Sequence, residues 1–306
     1  MPPWPSLASQ AFFLKSDTRP AETIFYYDSL PAGNQNAASP PVFVLIHGLG
    51  DEADSWRHLI PLLSSGVNAG VCRVLALDLP GFGRSSAPGK ISIKTHTAAV
   101  LTLLEAAGLG PETPVFLVGN SMGAGIAEAA ALKKPELVRG LILIDGSIPG
   151  GPSNPGLYAL AKLLFSRKWY RSYRGNHEGA WASLYPYYAD LDAMPPEDKE
   201  FLRRRVMARV ESPTQERAFF ATQRSLVWIF ISASSWFARG IRGYGGKILL
   251  LWGERDKIIP LSTAEAFRNL HGDTELKVIP GAGHLPQQER PRETAKLIMD
   301  FVQGKR

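Results

Sequence analysis

The chain has 306 residues, of which 45% are hydrophobic and 20% charged, a balance that excludes a disordered or fibrous protein and leaves one or two globular domains. Its net charge of +6 arises from 34 basic and 28 acidic side chains scattered along the sequence, so a nucleic-acid partner is not expected. The single cysteine, Cys72, cannot form an internal disulfide and the N-terminus has no charged segment leading into an apolar one, which makes a cytoplasmic location the expectation.

AFFLK (11–15) and TIFYYDS (23–29) read as paired strands of a hairpin or meander, followed by a Gly/Asn/Ser/Pro-rich connection at 31–41. A regular rhythm then begins: VFVLIHG (42–48), VLALDLPG (74–81), a helical stretch AAVLTLLEAAG (98–108), VFLVG (115–119), a helix at 124–134 and GLILIDG (140–146). Strand runs this continuously apolar are expected in parallel sheets covered by helices on both faces, so the predicted fold is a mostly parallel, doubly wound α/β sheet.

From 147 to 243 the strand rhythm stops. Pro/Gly punctuation at 149–156 is followed by helix-like segments rich in aromatics, and KILLLWGERD (247–256) and ELKVIPGAGH (275–284) then restore the pattern, with RETAKLIMDFV as the last helix. The expected organisation is a core domain, 1–146 and 244–306, with a helical cap at 147–243 inserted after the sixth strand. Within that cap LVWIFISASSWF (226–237) is about half the length needed to span a bilayer, so a buried or cleft-lining helix is expected, without stable membrane insertion. The basic stretches RKWYRSYR (167–174) and RRRVMAR (203–209) read as solvated helix faces.

Gly119-Asn120-Ser121-Met122-Gly123 fits G-x-S-x-G and stands where a buried strand turns into a helix, the context that this motif requires. The turn lifts the Ser121 hydroxyl clear of the sheet and places the Met122 amide at a helix N-terminus, where it can stabilise developing negative charge. A serine needs a base, and of the six histidines His284 is best placed, in a loop after the last strand. His58, His96, His177 and His271 fall in predicted helices or polar loops. Asp256, after strand LLLWG, is the expected carboxylate partner of the imidazole, with Glu254 and Asp145 as alternatives. The glycine turn His47-Gly48-Leu49-Gly50 offers the Leu49 amide as the second member of an oxyanion hole, with His47 orienting the loop.

HGLG, DLPGFGRS (78–85), GNSMG, LLLWGERD and GAGH, in this order, resemble the α/β-hydrolase fold superfamily, in particular serine-nucleophile, esterase-like members with an inserted cap. The resemblance runs from about residue 20 to the end and implies a catalytic triad of Ser121, Asp256 and His284 with oxyanion amides at Leu49 and Met122. It implies no metal or organic cofactor. A serine nucleophile disfavours the aspartate chemistry of haloalkane dehalogenases and soluble epoxide hydrolases. GNSMG is also similar to the elbow of carbon–carbon bond hydrolases acting on ring-fission products of aromatic degradation, although HGLGDEADSW lacks their HGxGPG extension and Leu285, not Trp, follows His284.

A cap with this many aromatic rings, Trp181 and Trp228 among them as possible substrate contacts, suits a small carboxylic ester with an apolar acyl or alcohol part. A non-catalytic, ligand-binding member of the same fold is the remaining alternative. The oligomeric state is not legible in the sequence.

Overall fold

A computed structural model describes residues 2–15, 22–30, 41–65, 72–149 and 167–305. Eight strands form one sheet: β1 (Ala11–Lys15), β2 (Thr23–Asp28), β3 (Val42–Ile46), β4 (Arg73–Leu77), β5 (Val115–Asn120), β6 (Val138–Ile144), β7 (Lys247–Gly253) and β8 (Thr274–Ile279), in spatial order β1-β2-β4-β3-β5-β6-β7-β8. The two N-terminal strands pair antiparallel with each other and β2 pairs antiparallel with β4; all other pairings are parallel. The connection at 31–41 and the Pro/Gly-rich stretch at 149–156 lie, except for Pro41 and Pro149, outside the described residues.

Successive strand side chains point to opposite faces, and here both faces are buried. Val42, Val44 and Ile46 of β3 join one core with Val100 and Leu103 of α2 (Ile93–Ala106) and Ala127 of α3 (Met122–Lys133). Phe43 and Leu45 join the other, with Leu59 and Leu63 of α1 (Leu59–Ser64) and Ile298 and Phe301 of the C-terminal helix Pro291–Val302. The expected doubly wound sheet is therefore present.

Between β6 and β7 the described residues form α4 (Arg167–Arg171), α5 (His177–Ala182), α6 (Pro196–Glu211), α7 (Pro213–Ser232) and α8 (Ser234–Arg242). After β7 come α9 (Ser262–Arg268), then β8, α10 (Pro286–Glu289) and α11 (Pro291–Val302). Ala218, Leu226 and Ile241 of the inserted helices enter the core on the α2/α3 face of the sheet. Polar fastening is added by Arg205 of α6, which pairs with Glu52 at 3.0 Å and with Asp54, and by Asp198, which accepts from Arg57 Nε at 2.8 Å.

Two expectations for the insertion are corrected. Residues 226–237 are not one buried helix: α7 ends at Ser232 and α8 starts at Ser234, with Leu226 and Phe237 buried but Trp228, Ile231 and Trp236 exposed. A helix lying on one layer buries only a stripe, so a run apolar on all sides must leave some rings in solvent, and the Ser232 hydroxyl bonds back to the Trp228 carbonyl at 2.6 Å where the helix gives way. The basic stretches are also only partly solvated faces. Arg171 and Arg174 converge on buried Glu216 at 2.9 and 2.7 Å, and Arg205 is itself buried.

Candidate active site

The turn between β5 and α3 holds Ser121 at φ 55 and ψ −119, a left-handed conformation costly for a residue with a side chain. The surroundings enforce it. Ser121 N–H donates to the Ile144 carbonyl at 2.8 Å, and the Ser121 carbonyl accepts from Ala124 N–H at 3.0 Å. A Cβ at Gly119 would collide with the Gly123 backbone, and one at Gly123 with the Ile46 carbonyl, so only glycines let β5, α3 and β3 approach this closely. Met122 is the first residue of α3, where an amide has no partner inside the helix.

Asp256 and His284 come from the loops after β7 and β8. Asp256 Oδ1 accepts from the Ile258 and Ile259 amides at 2.7 and 3.1 Å, which turns Oδ2 toward His284 Nδ1 at 2.8 Å. Nδ1 therefore carries a proton and Nε2 is left as the basic nitrogen. The His284 backbone is held on both sides: its N–H donates to the Tyr187 carbonyl at 2.8 Å, and its carbonyl accepts from Asn120 Nδ2 at 3.1 Å. Asn120, the residue before Ser121, thus ties the serine turn to the histidine loop.

Leu49 lies in the turn after β3, where Gly50 has φ 72. His47 Nδ1–H donates to the Gly48 carbonyl at 2.8 Å and Nε2 accepts from Leu79 N–H at 2.9 Å, while burial holds its pKa below the ordinary value. That neutral ring fixes the turn from beneath. Arg209 of α6 donates to the Gly50 carbonyl, so the insertion also grips this loop. The DLPGFGRS turn is built around Asp78, whose carboxylate accepts from Ala53 N–H at 2.6 Å and Arg84 N–H at 2.7 Å.

Glu254 accepts from Gly281 N–H at 2.9 Å, a loop-to-loop brace. Asp145, at the end of β6, is fully buried and brings a carboxylate oxygen within 4.8 Å of both Asp256 and His284. Such a trio has metal-ligand atom types, but the His284–Asp256 hydrogen bond occupies two of them, and burial favours the neutral acid at Asp145, a poor ligand. Trp181 is buried against Tyr188, Leu202 and Leu285, the neighbour of His284, whereas Trp228 is 68% exposed. His58 bonds Asp198 at 2.8 Å, His96 bonds Thr222 at 2.9 Å, His271 braces the β8 entry, and His177 opens α5. Asn120, Tyr187 and Glu289 emerge only from the structure as supports of the site, and of these only Asn120 had a signal, its place inside the G-x-S-x-G run.

Residues 43–297 match the model of the alpha/beta hydrolase family, and the chain belongs to it. It is 30% identical to 2-hydroxymuconate semialdehyde hydrolase of Pseudomonas sp. strain CF600, over 85% of this chain and 86% of that one. It is 28% identical to pimeloyl-[acyl-carrier protein] methyl ester esterase of Methylococcus capsulatus, over 86% and 94%. Among solved structures it resembles a membrane phospholipase A described as a bacterial virulence factor, at 26% identity and a TM-score of 0.74, covering 96% of this chain and 86% of that one.

Proposed function

We propose that this hydrolase cleaves carboxylic esters with an apolar acyl or alcohol part, through Ser121 as nucleophile, His284 as base and Asp256 as the acid that orients it. The observation that carries the reading is the 2.8 Å bond from His284 Nδ1 to Asp256, in a loop tied through Asn120 to the strand-to-helix turn that holds Ser121 at φ 55. His284 Nε2 takes the Ser121 proton as Oγ attacks the carbonyl, and the Leu49 and Met122 amides receive the oxyanion. The protonated imidazole then gives its proton to the departing alcohol. Water, deprotonated by the same nitrogen, attacks the acyl-enzyme and releases the acid. No step calls for a metal or organic cofactor.

The insertion, taken as a cap over 147–243 on a core of 1–146 and 244–306, supplies the apolar wall, with the Tyr187 ring centroid 5.8 Å from that of His284 and Trp181 clustered with Leu285. Relatives named as a methyl ester esterase and a phospholipase support ester chemistry. A second reading, carbon–carbon cleavage of a vinylogous diketo acid, is favoured by relatives named 2-hydroxymuconate semialdehyde hydrolase and 2-hydroxy-6-oxo-2,4-heptadienoate hydrolase, at 30% and 29% identity.

Fluorophosphonate labelling with peptide mapping, followed by turnover of a series of p-nitrophenyl esters and of a diketo acid, tests both. An adduct on Ser121 that is lost in His284→Ala, with esters turned over faster, is the expected result. Full ester turnover by Ser121→Ala would refute the assignment, a preference for the diketo acid would install the second reading, and no adduct on folded protein would point to ligand binding without catalysis.

A further inference from the structure

The proposed mechanism uses one carboxylate, yet the fold buries two side by side. Asp145 closes β6 at φ 47, a left-handed conformation in a residue that is not glycine. It is completely buried, and its placement is exact at one oxygen: Oδ1 accepts from Gly253 N–H at 2.8 Å, while its own N–H donates to the Leu251 carbonyl at 3.0 Å. Oδ2 is buried and has no hydrogen-bond partner among the described residues. Asp145, Asp256 and His284 each bring one polar atom into a group spanning no more than 4.8 Å.

An ionised carboxylate with one bare oxygen, next to a second carboxylate, combines an unpaid desolvation with like-charge repulsion. Both are removed if Asp145 keeps its proton, because the bare oxygen then becomes an O–H donor whose natural acceptor is Asp256. We propose, on the basis of the esterase reading above, that Asp145 is a positioning residue: it carries a proton and donates it in a hydrogen bond to the Asp256 carboxylate that holds His284. Among the described residues, Asp256 from the loop after β7 and His284 from the loop after β8 lie against it, and the charge of Glu289 from α10 also acts on it. Burial first, then the charge of Asp256, push the Asp145 carboxyl well above the usual carboxylate range, with Glu289 adding to the shift.

The consequence lies in the strength of the triad. A carboxylate that accepts from a neutral acid as well as from imidazole gives less negative charge to the imidazole, so Asp145 lowers the basicity of His284 while fixing the rotamer of Asp256. Asp145 is then not an alternative to Asp256, because His284 Nδ1 is bonded to Asp256.

Asp145→Asn and Asp145→Leu, with Ser121→Ala alongside, test this. Asparagine can accept from Gly253 N–H and still offer an N–H to Asp256, whereas leucine offers nothing. Asp145→Leu is expected to lose about tenfold or more in kcat with KM little changed, and its acid limb of kcat/KM to move to higher pH by about half a unit or more. Asp145→Asn is expected to fall by no more than about threefold, with a smaller displacement. In difference infrared spectra at pH 7, the wild type should show a protonated carboxyl band that Asp145→Asn lacks. An acid limb that stays in place in Asp145→Leu, or no carboxyl band lost in Asp145→Asn, overturns the inference. The infrared result decides alone if the leucine variant does not fold. Retained turnover in Ser121→Ala would instead count against the esterase reading, and an inactive Ser121→Ala beside a normal Asp145→Leu would sink only the role of Asp145.

Discussion

The backbone N–H of His284 donates to the carbonyl of Tyr187 at 2.8 Å, so the loop that carries the imidazole is fastened to a turn in the helical insertion. Glu289 of α10 completes the fastening from the other side. One of its carboxylate oxygens accepts from Gly283 N–H at 2.6 Å and the other from Ala189 N–H at 2.7 Å. Gly283 has no room for a side chain, because a Cβ there would press on the Tyr188 and Ala189 backbone. The position of the imidazole is therefore set jointly by the sheet and by the insertion.

Glu289→Ala tests that joint control. The change leaves two amides without an acceptor, at about 1–3 kcal/mol for each that stays buried. The expected outcome is a loss of about tenfold or more in kcat/KM, with fluorophosphonate labelling of Ser121 slowed rather than abolished. Wild-type turnover in this variant would mean that the histidine loop holds its geometry without the brace.

Much of the core and the candidate triad was legible because the information is local. VFLVG followed by NSMG states a buried strand, a sharp turn and a helix within a dozen residues, and LLLWGERD and GAGH announce strand ends. The supports were not legible. Arg205 with Glu52 and Asp54, or Glu289 with Ala189, join residues far apart in sequence whose meeting depends on how the insertion folds back onto the sheet. Asp145 illustrates the difference: the sequence offers it as a rival to Asp256, and the fold sets the two against each other as neighbours.

Asp256→Asn should keep the shape of the site and lose its chemistry. Asparagine cannot stabilise the imidazolium, and its NH2 would drive the ring into the wrong tautomer if it faced Nδ1. A fall of about 10³–10⁴-fold in kcat is expected, with KM changed little. Steady-state kinetics on a p-nitrophenyl ester measure it, and a loss under tenfold would argue that another carboxylate serves His284.

Gly123→Ala probes the elbow itself. Its methyl group would be driven into the Ile46 carbonyl, where backbone on both sides leaves nothing flexible to give way. Destabilisation of about 3 kcal/mol or more is expected, read as a lower urea midpoint, together with loss of Ser121 labelling. A variant as stable as the wild type would mean that α3 can withdraw from β3 at little cost.

Glu128 gives the stability of the protein a pH dependence of defined sign. It is fully buried on α3, and both carboxylate oxygens face Ile148 N–H at 3.3 and 3.2 Å. Burial pushes its pKa up to about 8 from 4.5. The unfolded chain thus releases this proton near pH 4.5 while the folded chain holds it until about pH 8, so the stabilisation is complete below the lower value and is lost as pH rises through the upper one. Glu128→Gln keeps an acceptor for Ile148 and has no proton to lose. Relative to the wild type, it should gain stability between pH 5 and pH 8.5, by an amount of order 3 kcal/mol. Urea unfolding at the two pH values reads this directly, and a wild-type-to-variant difference that stays constant would show that Glu128 does not carry the dependence.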